Sequence, residues 1–333
     1  MLEFDLVLSL SRQRHPGALP GATRAASPSG RNEGEAKLMK KSLITLAATA
    51  ALFTLPVQAS PLQAGSAGSA TAATATTADT DTRVDQALAA LAAKVVARGG
   101  TRADYDSLVA AFKAQMDAAT DNKRATIIRT RFEGVVNDIA ERAKTAAIAQ
   151  EEFDIVKIDA IDARLDNAIA SLYARAVAGG ATRQEYARVA KYLTAAADAA
   201  KSIDPDYTTT RTHLQAMVDG IQKTSSKSAA DFQALNDDTT SARLGRNLTI
   251  LQHRSDAKTL NANDWTRMKN AINDATDSLA KTDAASAATI QKSLLAALDS
   301  LQKRAATAGL TRADFDALRD TWTKRARSAS APK

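Results

Sequence analysis

Six carboxylates, each followed directly by an aromatic residue, are the side chains of this sequence best suited to chemistry. A repeated carboxylate could form a repeated cation or ligand site, and a repeated aromatic could form a stacking ladder for a ligand. The carboxylates are Asp104, Glu152, Glu185, Asp231, Asp264 and Asp314. The aromatics are Tyr105, Phe153, Tyr186, Phe232, Trp265 and Phe315.

A structural role explains the same spacing without a ligand. The side-chain oxygen of Thr101, Thr182 or Asn261 can accept a hydrogen bond from an unpaired N–H at a helix start. The carboxylate three residues later can return that bond and also interacts favourably with the positive helix end. An aromatic in the first turn commonly anchors a helix to its neighbour. We therefore interpret the six carboxylates as helix caps and the aromatics as core residues.

Other catalytic and metal-binding patterns are missing from the sequence. Beyond residue 59 the only histidines are His213 and His253, and neither has a second histidine at metal-ligand spacing. No HExxH, EF-hand, phosphate-loop or G-x-S-x-G pattern occurs. The absence of cysteine excludes disulfides and cysteine metal sites. We predict a protein that is not an enzyme, with no catalytic, cofactor-binding or metal-binding residues and no cofactor.

The charge distribution does not favour nucleic acid as a partner. Residues 1–59 hold 7 basic and 4 acidic residues, so the net charge of +7 falls to +4 beyond them. The remaining charges are mixed in sign, unlike the dense basic footprint of a nucleic-acid binder. Arg102, Arg183 and Arg312 follow capping threonines and could bind an anionic polymer or lipid, although we interpret them as solvated.

The N-terminal segment has the features of an export signal. Lys37, Lys40 and Lys41 flank Met39, an apolar run follows from Leu43 to Leu55, and small residues precede a cleavage position after Ala59. We predict that 1–38 is a mis-annotated extension, that 39–59 is a signal peptide, and that 60–80 is a disordered Ala/Thr/Ser/Gly linker. The expected location is the periplasm or the extracellular space, with no transmembrane segment in the mature chain.

The carboxylate–aromatic pattern also indicates internal repetition. Alternate copies lie 79 to 83 residues apart, which predicts three tandem repeats of about 80 residues. Apolar residues at the spacing i, i+4, i+7, i+11 predict helices, as at Val84, Leu88, Leu91 and Val95. The predicted fold is all-α, with about ten helices and long shared helices at 150–178 and 229–257. The predicted repeats are 81–163, 164–242 and 243–327, and a basic tail follows at 328–333.

These features predict an exported, non-catalytic helical repeat protein that acts as a binding or scaffold module in the bacterial envelope. Its expected partner is a protein or an anionic polymer. The alternative is an amphipathic helical protein that binds a lipid surface with help from the basic tail. Defined caps and glycine turns favour the packed module over the membrane-surface protein.

We predict that the exported protein begins at Ser60, because Val57-Gln58-Ala59 presents small residues where a signal peptidase cleaves. N-terminal sequencing of the product recovered from the envelope or medium measures this directly. A product that retains residues 39–59 would contradict the prediction.

Overall fold

The computed structural model describes residues 67–117, 122–224 and 228–330, and these ranges form ten α-helices and no strand. The predicted all-α class is therefore confirmed. The predicted extension and signal peptide lie outside the described residues. The helices are α1 (Ala67–Val96), α2 (Arg102–Asp117), α3 (Asn122–Ala143), α4 (Gln150–Val177), α5 (Arg183–Ala200), α6 (Tyr207–Lys223), α7 (Ala229–Asp256), α8 (Ala262–Leu279), α9 (Ala284–Thr307) and α10 (Arg312–Ser330).

Two boundaries differ from the sequence-based expectation. Helix α1 begins at Ala67, inside the stretch 60–80 that was predicted to be a disordered linker. Alanine has the highest helix propensity, so this Ala-rich stretch can extend a helix that is anchored further along the chain. Helix α10 continues to Ser330, inside the predicted tail 328–333, since no glycine or proline interrupts it before Pro332.

Sharp turns separate α1 from α2, α4 from α5, and α7 from α8. In each turn an N–H donates to the carbonyl five residues earlier: Gly99 to Lys94, Gly180 to Arg175, and Thr259 to Arg254. This bond ends a helix when the residue just before the donor is left-handed. That residue is Arg98 (φ 60°), Gly179 (φ 74°) or Lys258 (φ 58°). The Gly99-Gly100 and Gly179-Gly180 pairs predict a left-handed glycine in the first two turns, and this is confirmed at Gly179 but not in the first turn, where Arg98 takes that conformation. Arg98 and Lys258 each accept a strain of about 1 kcal/mol.

The buried apolar side chains form three main cores, and the long helices α4 and α7 each contribute to two of them. The first core joins α1, α2 and α3 to the first half of α4, including Phe153 and Val156. The second joins the rest of α4 to α5, α6 and the start of α7. The third joins the rest of α7, from Leu244, to α8, α9 and α10.

Helices α4 and α7 lie antiparallel, which folds the chain back on itself. Asp166 pairs with Arg243 near one end of the contact, and Glu152 pairs with Arg254 near the other. Helices α3 and α8 run antiparallel in the same way, since Arg131 pairs with Asp274 and the Asn263 amide donates to Asp138. The first and third cores therefore lie side by side.

None of the helices in the described ranges is long and apolar enough to cross a membrane.

Candidate functional site

Five of the six predicted carboxylates cap helices as expected. Each accepts a hydrogen bond from the backbone N–H three residues earlier, at 2.7 to 3.1 Å. The five are Asp104, Glu185, Asp231, Asp264 and Asp314. The aromatics beside the six carboxylates lie in the cores, with Trp265 partly buried. The structure therefore assigns these residues to folding. Of the six carboxylates it brings together Glu152 and Asp264, which both accept hydrogen bonds from Arg254.

Glu152 is the exception, and its predicted role as a cap was wrong. The preceding N-cap position is Ala149, which has no side chain that could complete a capping pair. Glu152 is buried and instead accepts from Arg142 at 3.1 Å, from Arg254 at 2.5 Å and from the Asn261 amide at 2.9 Å. Burial alone would raise the pKa of Glu152, but Arg142 and Arg254 together hold that pKa below its ordinary value. Glu152, on α4, therefore links this helix to α3, α7 and the start of α8.

A basic residue ten positions before the carboxylate closes five of the six turns, and this pairing was not predicted from the sequence. These pairs are Lys94–Asp104, Arg142–Glu152, Arg175–Glu185, Arg254–Asp264 and Arg304–Asp314. The constant spacing of ten was visible in the sequence, but it exceeds the three or four residues at which neighbours on one helix meet. The cation joins the end of one helix to the start of the next, so its role is structural.

A buried set of Arg–Asp ion pairs, which we call the seam, holds α4 against α7. It consists of Asp162 and Asp166 on α4 with Arg243 and Arg246 on α7. The Arg243 Nη2 atom lies 2.7 Å from Asp166, and its Nε atom lies 3.2 Å from Asp162. Arg246 also pairs with Asp162, and its guanidinium lies 4.7 Å from the centre of the Tyr207 ring. All four charged side chains are at most 10% exposed, so water does not screen these pairs.

The seam shifts the pKa of its carboxylates. Burial alone would raise the pKa of Asp166, but Arg124 and Arg243 together lower it to about 2. Because this pKa lies below its ordinary value of 3.8, the Asp166 contribution to stability is fully present above that value. It is lost as the pH falls towards 2.

A cavity of about 420 Å³ lies where the seam brings α3 opposite α8. Helices α4 and α7 form its floor, through residues such as Ala163 and Asn247. Two cross-bridges between α3 and α8 border it: the Arg131–Asp274 ion pair, and the hydrogen bond from the Asn263 amide to Asp138 at 2.8 Å. The volume lies within the ~300–1,000 Å³ typical of small-ligand sites.

Gly134 provides part of the empty space in this cavity. It lies on α3 between the two cross-bridges and lines the cavity. A Cβ atom added at Gly134 would meet no other atom within 4 Å. A Cβ atom at this position would therefore meet open space beside the cavity lining.

The cavity combines an apolar wall with polar groups. Ile128, Phe132 and Val135 lie at helical spacing on α3 and line one side, and the Phe132 ring stacks on Phe112 with centroids 3.7 Å apart. The polar lining is given by three arginines, three aspartates and three asparagines: Arg131, Arg243, Arg267, Asp159, Asp166, Asp274, Asn247, Asn263 and Asn270. Such a surface can bind a small molecule that has both an apolar and a polar part.

The other side chains considered in the sequence lie elsewhere. His213 pairs with Asp238 at 3.0 Å and His253 with Glu151 at 3.6 Å, and both histidines are exposed. Arg102 pairs with Asp106 one turn along its own exposed helix face. Within the part of the chain that the structure describes, no three His, Asp or Glu side chains are grouped to hold a metal ion.

The chain matches no known protein family, no curated protein and no solved structure. Its site must therefore be interpreted from its own geometry.

We predict that Asp166→Asn lowers the free energy of unfolding by about 3–5 kcal/mol at pH 7, because Arg243 loses a buried partner. Urea unfolding followed by circular dichroism measures this change. The matched control is Asp106→Asn, which removes a 58% exposed partner of Arg102 and should cost less than about 1 kcal/mol. Equal effects of the two substitutions would contradict the buried seam.

The same variant tests the pKa of Asp166. The stability difference between the wild-type protein and Asp166→Asn should shrink by about 2 kcal/mol as the pH falls from 5 to 2, since the wild-type carboxylate becomes protonated in that range. A difference that stays constant over this pH range would show that the pKa of Asp166 is not lowered.

Proposed function

We propose that this protein is an exported, non-catalytic binding module that holds a small ligand in the cavity between α3 and α8. The observation that carries this proposal is the cavity itself, which is large enough for a small molecule and combines an apolar wall with polar groups. Export rests on the charge, length and cleavage position of residues 39–59. The expected location is the periplasm or the extracellular space of a bacterium.

The non-catalytic part of the proposal rests on how the buried carboxylates are used. A general acid or base needs a side chain that can reach a substrate. Glu152, Asp162 and Asp166 are each held by two arginines and serve the packing of the helices. Asp159 lines the cavity, but both of its oxygens accept hydrogen bonds from Arg267.

We further propose that the binding module is built from three tandem repeats, 81–163, 164–242 and 243–327. In support, the turn that begins with the carbonyl of Lys94 is formed again at Arg175 and at Arg254. These positions are 81 and 79 residues apart, as the period in the sequence requires. The residue whose carbonyl begins each turn is basic, and its side chain pairs with the carboxylate ten positions later.

The burial of the helices favours this module over the lipid-surface alternative. An interfacial amphipathic helix places its apolar face in lipid, whereas these helices bury their apolar faces in three cores. The large apolar side chains that remain exposed are Val96, Ile127, Tyr173 and Val177 among the described residues. Binding a membrane through the helix faces would therefore require the cores to open.

We predict that the uncharged fluorescent probe N-phenyl-1-naphthylamine binds the wild-type protein and that Gly134→Phe abolishes this binding. The phenyl ring should fill space that the glycine leaves open. The probe's emission on titration with protein is the measurement.

Gly134→Ala is the matched control, because it leaves most of the cavity open. It should also raise the free energy of unfolding by about 0.5–1 kcal/mol, since glycine inside a helix is unfavourable. Equal probe binding by Gly134→Phe and Gly134→Ala would show that the probe binds outside this cavity. No binding by the wild-type protein would contradict a ligand cavity.

A further inference from the structure

We propose that the ligand of this cavity is a small amphiphilic carboxylate, whose carboxylate binds Arg131 and whose apolar body lies along Ile128, Phe132 and Val135. This inference rests on the proposed binding function and names the class of ligand.

Arg131 has hydrogen-bonding capacity that the other cavity arginines lack. Its Nη1 atom donates to both oxygens of Asp274, at 2.9 and 3.0 Å, while its Nε and Nη2 atoms have no partner in the described part of the chain. By contrast, Arg243 uses both Nη atoms on Asp166, and Arg267 uses Nε and Nη2 on Asp159. A guanidinium with two unused nitrogens can bind a carboxylate through two parallel hydrogen bonds.

Asn270 supplies a second donor on the opposite wall. It lies one turn before Asp274 on α8 and lines the cavity. Its carboxamide makes no side-chain hydrogen bond to any described residue. Asn247, on the floor, already uses its amide N–H on the Arg243 carbonyl at 3.0 Å. An anionic group at Arg131 therefore has a neutral amide donor available on the facing helix.

The acidic residues of the lining favour a ligand with a single negative charge. Asp159, Asp166 and Asp274 offset the charges of the three arginines in the lining, so a dianion such as a phosphate monoester would carry more uncompensated charge there than a monoanion. A monoanion bound to the Nε and Nη2 atoms of Arg131 leaves the Asp274 contact of Nη1 in place. Asp274 also has a second cation nearby, since Arg243 Nη1 lies 3.9 Å from its Oδ2 atom.

The apolar wall determines the chemistry of the ligand's body, the part that does not bind Arg131. Ile128, Phe132 and Val135 follow one another on the face of α3 that also carries Arg131. Phe132 is backed by Phe112, so this wall is continuous with the first core. Burial of an alkyl chain or aromatic ring here gains about 25 cal/mol for each Å² of apolar surface removed from water. The wall therefore favours an apolar body over a sugar or a peptide backbone.

The test compares decanoate with decan-1-ol, which has the same chain length and no charge. Both are titrated as competitors of N-phenyl-1-naphthylamine, below the concentration at which decanoate forms micelles. The wild-type protein should bind decanoate about tenfold more tightly than decan-1-ol, which is the preference expected for charge-assisted hydrogen bonds.

Two variants that remove the same ion pair should change decanoate affinity in opposite directions. Arg131→Gln removes the cation and should abolish the preference while decan-1-ol still binds. Asp274→Asn removes the negative charge beside Arg131 and should tighten decanoate binding several-fold. Damage to the fold would weaken both ligands in both variants, so opposite effects identify the role of Arg131.

The outcomes separate the two proposals. Equal affinity for decanoate and decan-1-ol, with both excluded by Gly134→Phe, would overturn the carboxylate inference and leave the binding function standing. Unchanged decanoate affinity in Arg131→Gln would overturn the assignment of Arg131. A wild-type protein that binds none of the three probes would overturn the binding function itself.

Discussion

The antiparallel contact between α4 and α7 determines the rest of the arrangement. Both helices are shared between cores, so their relative direction decides whether the first and third cores lie together or apart. The seam fixes this direction, because Asp162 and Asp166 meet Arg243 and Arg246 in only one register. Buried ion pairs add little net stability, since removing the charges from water offsets their attraction. Their effect is on specificity: any other register would leave buried charges without partners.

The repeated turns have a different role from the seam. The turns before α2, α5 and α8 each combine a left-handed residue, a helix cap and a cation ten residues before the capping carboxylate. They connect neighbouring helices along the chain, whereas the seam connects residues about 80 positions apart. The proposed ligand cavity depends on both: the turn before α8 sets the start of that helix, and the seam brings α8 opposite α3.

The sequence predicted the local structure well, because local signals determine it. The capping threonines, Asn261 and the apolar periodicity correctly placed the starts of α2, α5, α8 and α10, and α4 has nearly the length predicted from 150–178. The failures have physical causes. Glu152 looked like the other carboxylates, but Ala149 cannot form a capping pair, and its role became clear only through Arg254, 102 residues away. Arg98 adopts a left-handed conformation that the sequence would assign to the glycine beside it.

The fold-back and the cavity could not be derived from the sequence. Aspartates and arginines on a helix usually belong to a solvated face, so the charges of α4 and α7 did not indicate a buried contact. Asp162 and Asp166 occur within a helix most of whose residues are buried, and only the structure shows that burial. Gly134 is part of the cavity lining, and a single glycine inside a helix has no periodic signature in the sequence.

The most direct test of the fold-back is a distance between spin labels on α3 and α8. The natural chain has no cysteine, so Ile127→Cys and Asp277→Cys provide two unique labelling sites. Both positions are exposed and lie close to the Arg131–Asp274 ion pair. Antiparallel packing of α4 and α7 predicts one narrow distribution centred at roughly 20 Å, about two helix diameters. A distribution centred beyond about 40 Å, the length of a 28-residue helix, would mean that the first and third cores lie apart and would contradict the account.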